Sequence, residues 1–258
     1  MENPQRESRA FAVLQVRSLS KNFGGLAAVN NLSFEVEVGV LHGIIGPNGA
    51  GKTTLINLLS GELPASSGQI IFQGNDISRL TPDGRARLGI GRSYQKTNIF
   101  LAFTVLENCR LAAQAREPRP LNWLRDAFSY ASLMTQARRA LDAVGLLHRA
   151  GETALALSHG EQRQLEIAMC LATAPQLLLL DEPLAGMGTE ESMKMVDLIR
   201  RLGKNHAILL VEHDMDAVFQ LAKVLTVMVD GKMLASGTPE EVRANRQVQA
   251  AYLGNDDE

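Results

Sequence analysis

Gly46-Pro47-Asn48-Gly49-Ala50-Gly51-Lys52-Thr53 stands between a short apolar run, Val40 to Ile45, and a helix-like stretch, Thr53 to Ser60, that Gly61 ends. Glycine, four residues, Gly-Lys and then a hydroxyl residue is the pattern of the phosphate-binding loop, and strand, loop, helix is the order that loop requires. The glycines let successive backbone N–H groups turn toward phosphates, and the start of the helix adds its dipole. Lys52 would neutralise the outer phosphates, the Thr53 hydroxyl would ligate magnesium, and Thr54 sits with them at the helix start. An ordinary glycine turn needs neither the Lys-Thr pair nor glycines at these offsets.

Upstream of the loop, Leu32, Phe34, Val36 and Val38 alternate with Ser33, Glu35 and Glu37, the period of a half-buried strand, so a small antiparallel sheet is expected to open the fold. Downstream, strands are expected at Gln69 to Gln73 and Ile90 to Tyr94, with a turn at Gly74 to Asp76. From Thr97 to Leu157 the chain reads as an inserted helical lobe. Thr104 and Glu107 offer a capping box, and Glu117 to Trp123, which carries Pro118 and Pro120, reads as a loop. Buried parallel strands follow at Leu177 to Leu180 and Ala207 to Val211, separated by a helix at Glu190 to Leu202. A hairpin turning at Asp230-Gly231 and short helices over Thr238 to Tyr252 close the chain.

Leu177 to Leu180 runs into Asp181-Glu182, two acids at the carboxyl end of a strand, the edge at which parallel α/β sheets bind ligands. Asp181 would hold the metal, directly or through water. Glu182, next in sequence and so directed differently, would polarise an attacking water as general base. A small kinase or a GTPase could use the same parts. Leu157-Ser158-His159-Gly160-Glu161-Gln162-Arg163, just before a helical run, separates the classes. Here the chain resembles the ATP-binding cassette family, whose signature begins Leu-Ser-Gly-Gly-Gln. It departs at His159 and Glu161 and keeps Leu157, Ser158 and Gly160.

The resemblance covers nearly the whole chain. It implies a P-loop NTPase of α/β class: a RecA-like core with an N-terminal antiparallel β subdomain, forming one nucleotide-binding domain over 11–258 with the helical subdomain inserted at 97–157. It implies ATP and Mg2+ as cofactors. Phe23 stands where the family stacks an aromatic on adenine, and Gln95 where a glutamine reaches magnesium and the attacking water. His213 stands where a histidine meets the terminal phosphate. Ser158, Gly160 and Glu161, at their helix start, would face the nucleotide held by a second cassette, a placement suited to a helix N-terminus. Ser158 and Glu161 also read as a plain capping box, and both readings hold together. The family often has aspartate at the position of Gly188, which makes a heterodimer as well as a homodimer an open reading.

Within the family the chain is similar to ATP-binding subunits of branched-chain amino-acid importers. The grounds are the long lobe, Leu165-Glu166-Ile167-Ala168, Val211-Glu212-His213-Asp214-Met215 and the ending Ala251-Tyr252-Leu253-Gly254. Urea importers and the ATPase of the lipopolysaccharide exporter share several of these. The implied partners are transmembrane permease subunits, a second ATP-binding subunit and, indirectly, a periplasmic or extracellular solute-binding protein. The implied place is the cytoplasmic face of the inner membrane. Ile99, Phe100 and Leu101 are candidates to receive a permease helix.

Composition sets limits on the alternatives. The net charge of −2, with Lys and Arg scattered among Asp and Glu, argues against nucleic acid as a partner. A soluble cassette acting on ribosomes or DNA would be expected to carry two cassettes or sustained heptads. Cys109 and Cys170 lie far apart without ligand spacing, so neither a disulfide nor a zinc site is expected. Met1 to Ala10 is polar where a signal peptide would be apolar.

Overall fold

The computed structural model describes residues 12–94, 98–115 and 131–253, with side chains described as far as residue 251. The expected loop over Glu117 to Trp123, and Gln95, lie outside the described residues.

Strands β1 (Ala12–Phe23), β2 (Leu26–Glu37), β4 (Ser67–Phe72) and β5 (Asn75–Asp76) form an antiparallel sheet in the order β2-β1-β4-β5. The second sheet has the order β10-β9-β3-β8-β7-β6, built from β3 (Leu41–Ile45), β6 (Ile90–Arg92), β7 (Leu177–Asp181), β8 (Ala207–Val211), β9 (Val224–Val229) and β10 (Lys232–Gly237). Its pairs are parallel except for the terminal β9–β10 hairpin. The α/β class and the opening antiparallel sheet are as expected.

The leucine run of β7 shows why its sequence lacks alternation. Leu177 and Leu179 enter the core shared with the antiparallel sheet and helix α1 (Lys52–Ser60). Leu178 and Leu180 enter the core beneath the helices on the other face. Both faces of the central strands are covered, so every position is apolar, and each such side chain contributes about 1.5–3 kcal/mol on burial. Helices α3 (Val105–Gln114), α4 (Ala131–Val144) and α5 (His159–Ala172) pack on one another in that second core, together with α6 (Thr189–Leu202) and α7 (Met215–Leu221). Helices α8 (Pro239–Ala244) and α9 (Arg246–Leu253) follow the hairpin. The Thr104–Glu107 capping box is formed at the start of α3.

Two expected strand bounds need correction. Val38 lies past the end of β2 and is exposed, because the chain turns at Gly39. The strand expected to reach Tyr94 stops at Arg92. Between the turn and that strand the structure has a helix that hydrophobic periodicity does not announce, α2 (Pro82–Leu88). It starts on a proline in its first turn, ends on the left-handed Gly89, and is pinned by Arg85. Fully buried, Arg85 donates to the carbonyls of Leu58 and Leu59 at the end of α1, and to those of Ser78 and Leu80. A polar sequence is thereby held as a helix by a cation meeting the carbonyl end of its neighbour.

Both cysteines are free and buried, and burial pushes the Cys170 thiol up to about 12. Among the described residues no helix is long and apolar enough to cross a membrane.

Candidate nucleotide site

The phosphate loop crosses from β3 to α1 along the seam between the two sheets, and its glycines are there because backbone from both sheets presses on it. A Cβ on Gly46 would lie 2.1 Å from the carbonyl oxygen of Met228 in β9, and one on Gly51 would lie 2.2 Å from that of Ala28 in β2. The hairpin turn adds a bond from Gly231 N–H to the Ala50 carbonyl. A cavity of about 710 Å³ opens over the loop, walled by Phe23 at one end, by Asn48 through Thr54, by Glu182 and by Asp230-Gly231. Phe23 is half-exposed at the end of β1 and lines this cavity, with the Lys21 ammonium over its ring, 5.1 Å from the ring centre. Gly46 and Pro47 are not among the lining residues and give their carbonyls to the Lys52 ammonium at 2.7 and 3.0 Å. Burial lowers the Lys52 pKa, and the carboxylates of Glu182 and Asp181 work against that shift.

Strand β7 delivers Asp181 and Glu182 to different surroundings. Glu182 has a left-handed backbone, φ 47°, while its N–H bonds to the Val211 carbonyl at 2.8 Å, and this turn sends its side chain into the cavity. A non-glycine residue in that conformation costs on the order of 1 kcal/mol, a strain of the kind that collects at working sites. Asp181 stays in the strand, its side chain 2% exposed. Its Oδ2 has no hydrogen-bond partner and lies 3.9 Å from the Arg92 guanidinium. Burial raises the Asp181 pKa and Arg92 opposes it. A buried carboxylate oxygen without a hydrogen-bond partner suits a hard cation that completes its shell with phosphate and water. Among the described residues no three His, Cys, Asp or Glu side chains gather as a ready-made cage.

At the end of β8, Glu212 is fully buried and His213 is 63% exposed beside it. The Glu212 carboxylate accepts the backbone N–H groups of Leu184 and His213. Ser158 caps α5, and the capping box with Glu161 is formed. Glu161 is spent locally, taking the Ser158 N–H at 2.8 Å and the Arg149 guanidinium at 2.6 Å. The Ser158 hydroxyl donates to Glu191 of α6 at 3.1 Å, and Gly160 lies so close that a Cβ there would be 2.7 Å from the same carboxylate oxygen. Asp181, His213, Ser158, Gly160 and Glu161 are not among the residues that line the phosphate-loop cavity.

Residues 29–185 match the profile described as "ABC transporter". The chain belongs to the ABC transporter family. Its C-terminal residues 232–258 also match the profile "Branched-chain amino acid ATP-binding cassette transporter". The chain is 40% identical to the high-affinity branched-chain amino acid transport ATP-binding protein LivG of Salmonella typhimurium over 94% of this chain and 98% of that one. It is 32% identical to the lipopolysaccharide export system ATP-binding protein LptB of Escherichia coli, over 95% and 99%. A crystal structure of the ADP conformation of an ATP-binding cassette of an ABC transporter superposes with a TM-score of 0.83 at 30% identity, covering 95% of this chain and all of that one. The chain is thus an ATP-binding cassette, of a family whose members hydrolyse ATP to drive transport.

In this cassette the start of the signature helix is tied to the end of β6. Glu166 and Arg163, both buried on α5, hold the backbone of Tyr94: the Glu166 carboxylate accepts the Tyr94 N–H at 2.8 Å, and Arg163 donates to the Tyr94 carbonyl. Within Leu165 to Ala168, read in the sequence as a family mark, Glu166 is thus one half of a clamp on the segment after β6, with Arg163 the other, while Leu165, Ile167 and Ala168 fill the core. A second cleft of about 350 Å³ lies here, between α2, the end of α1 and the lobe, with Glu62, Arg92, Tyr94 and Asn98 on its walls. Beside it, Phe100, Leu101 and Phe103 are exposed, and Phe100 stacks on Phe103 at 5.3 Å. Ile99, expected with them, instead packs against the core of the lobe. Arg92, Glu191 and Glu212 were not legible as site residues, since each owes its place to a partner far away in sequence.

Proposed function

We propose that this cassette is the ATP-hydrolysing subunit of an importer of branched-chain or related amino acids, at the cytoplasmic face of the inner membrane. The observation that carries the catalytic half is the separation of two phosphate-directed surfaces on one chain. The loop cavity holds Lys52, Thr53 and Glu182, whereas the signature serine Ser158 sits exposed elsewhere at a helix start, with Gly160 buried beside it against Glu191. A second cassette placed head to tail brings the Ser158 helix of one chain to the nucleotide on the Lys52 of the other, so ATP joins the pair. Adenine stacks on Phe23. Thr53 and Asp181 would hold Mg2+, with Gln95 reaching the same ion. Bound there, the ion supplies charge neutralisation of the outer phosphates. Glu182 takes a proton from the attacking water, and His213 contacts the terminal phosphate. The water oxygen bonds the terminal phosphorus as the bond to ADP breaks, release of the resulting inorganic phosphate removes the anion that holds the halves together, and the permease follows.

The substrate class rests on the relatives: LivG bears the name of branched-chain amino acid transport, and the C-terminal match is to the same type. The lipopolysaccharide-export reading has a weaker relative and no such C-terminal match in its favour. Phe100, Leu101 and Phe103, beside a cleft, offer an apolar seat for a permease helix, and selectivity then lies in the permease and a solute-binding protein.

The test is purification of the chain from its native membranes in mild detergent, with stoichiometric partners identified by mass spectrometry. Multi-span permeases and a second cassette, with copurification lost in a Leu101→Asp variant, are expected. A lipid-export permease, or none under conditions that preserve other transport complexes, overturns the import assignment.

A further inference from the structure

Arg92 is a buried cation that no step above uses. Its side chain is 9% exposed, and both terminal nitrogens are committed to α1: one donates to the Ser60 hydroxyl and the other to the Asn57 amide oxygen, each at 2.6 Å. The Tyr94 ring covers the guanidinium at 4.7 Å. Held in this way, the nitrogen that bonds Asn57 stops 3.9 Å from Oδ2 of Asp181, too far for a hydrogen bond and close enough for full charge contact. The carboxylate oxygen is thus buried beside a cation and still keeps its lone pairs.

That combination is unusual for a structural ion pair. Arginine with a free carboxylate closes to about 2.7–2.9 Å and consumes the oxygen. Here Asn57 and Ser60 hold it back. We propose that Arg92 is a positioning residue for Asp181, fixing its carboxylate by charge from a distance so that Oδ2 stays available to a divalent cation. The inference rests on Asp181 being the metal carboxylate. Arg92 and Tyr94 also stand on the wall of the cleft between α2, the end of α1 and the lobe.

The test uses the full chain with a non-hydrolysable ATP analogue and Mn2+ as the probe, its binding followed by electron paramagnetic resonance. Arg92→Met is expected to weaken Mn2+ binding about 10–100-fold, the usual effect of losing a partner that orients a metal ligand. Nucleotide affinity in EDTA should stay within about threefold, and adding Arg92→Met to Asp181→Asn should weaken Mn2+ no further. Arg92→Lys, which keeps the charge, should recover part of the loss. Asn57→Ala serves as a second probe that leaves the arginine in place, and it should also weaken Mn2+ by freeing the guanidinium to close on Oδ2. Parent-like Mn2+ binding in Arg92→Met, or an equal loss of nucleotide affinity in EDTA, overturns the role of Arg92. Parent-like Mn2+ binding in Asp181→Asn overturns the metal assignment beneath it.

Discussion

Glu212 ties Leu184 to the base of His213: the fully buried carboxylate accepts the Leu184 N–H at 2.8 Å and the His213 N–H at 3.2 Å. The segment that follows Glu182 and the segment that carries His213 are thereby fixed to one side chain. Glu212→Ala leaves two N–H groups without an acceptor in a dry site, a loss of about 2–6 kcal/mol at some 1–3 kcal/mol per unsatisfied group. Chemical denaturation measures it. Glu212→Gln keeps an acceptor and should lose less than half as much.

On the proposed function, Glu182→Gln removes the proton acceptor and leaves the phosphate contacts of the loop in place. ATP affinity should change by less than about threefold, while hydrolysis falls by 10² or more, the range of a lost general base. Equilibrium binding beside steady-state phosphate release makes the comparison, and hydrolysis at the parent rate would falsify the assignment.

Lys52→Ala acts on binding. The ammonium that now bonds the Gly46 and Pro47 carbonyls is, on the proposed function, the charge that meets the outer phosphates, and a charge-assisted contact contributes about 1.5–3 kcal/mol. ATP affinity should fall at least tenfold, with a larger loss for ATP than for AMP in the same titration.

His42 gives the fold a pH dependence of known sign. It is buried, with Nε2 2.8 Å from the Thr226 hydroxyl and Nδ1 near the Glu35 carbonyl, and burial lowers its pKa from 6.5 to about 4. Between those values the unfolded chain binds a proton that the folded chain does not. The His42 contribution is therefore complete above about pH 6.5 and is lost as pH falls toward 4, a change of about 3 kcal/mol. Urea midpoints at pH 7.5 and 4.5 should converge for His42→Gln relative to the parent.

Gly188 caps α6 with φ −72° and no side chain, and nothing lies within 4 Å of where a Cβ would be. Gly188→Asp should stabilise the chain by about 0.5 kcal/mol, since aspartate there can accept from the first turn. A thermal melt that drops instead would show an unfavourable encounter with Glu190 and Glu191, the acids already in that turn.

The phosphate loop, β7 and the capping boxes could be read from residues because their causes are local: glycine offsets, an unbroken leucine run, a hydroxyl three places before an acid. The same locality explains what was missed. Helix α2 has no apolar stripe and is held by Arg85 reaching α1, 27 positions back. Glu191 meets Ser158 across 33 positions, and Arg92 meets Asp181 between strands separated by the whole lobe. Ile99 and Phe100 are neighbours with equal apolar character, yet packing turns one inward and leaves the other exposed.

The carbonyls of Ala28 and Met228 grip the phosphate loop from opposite sheets, which makes the loop a rivet between two halves that the chain visits at different times. Losing the grip on either side loosens the ligand cradle and the joint between layers together. The cassette should therefore melt as one cooperative unit, and any nucleotide it holds raises the midpoint of both sheets by the same mass action. A lesion far out on β2 would then register first as weakened nucleotide binding.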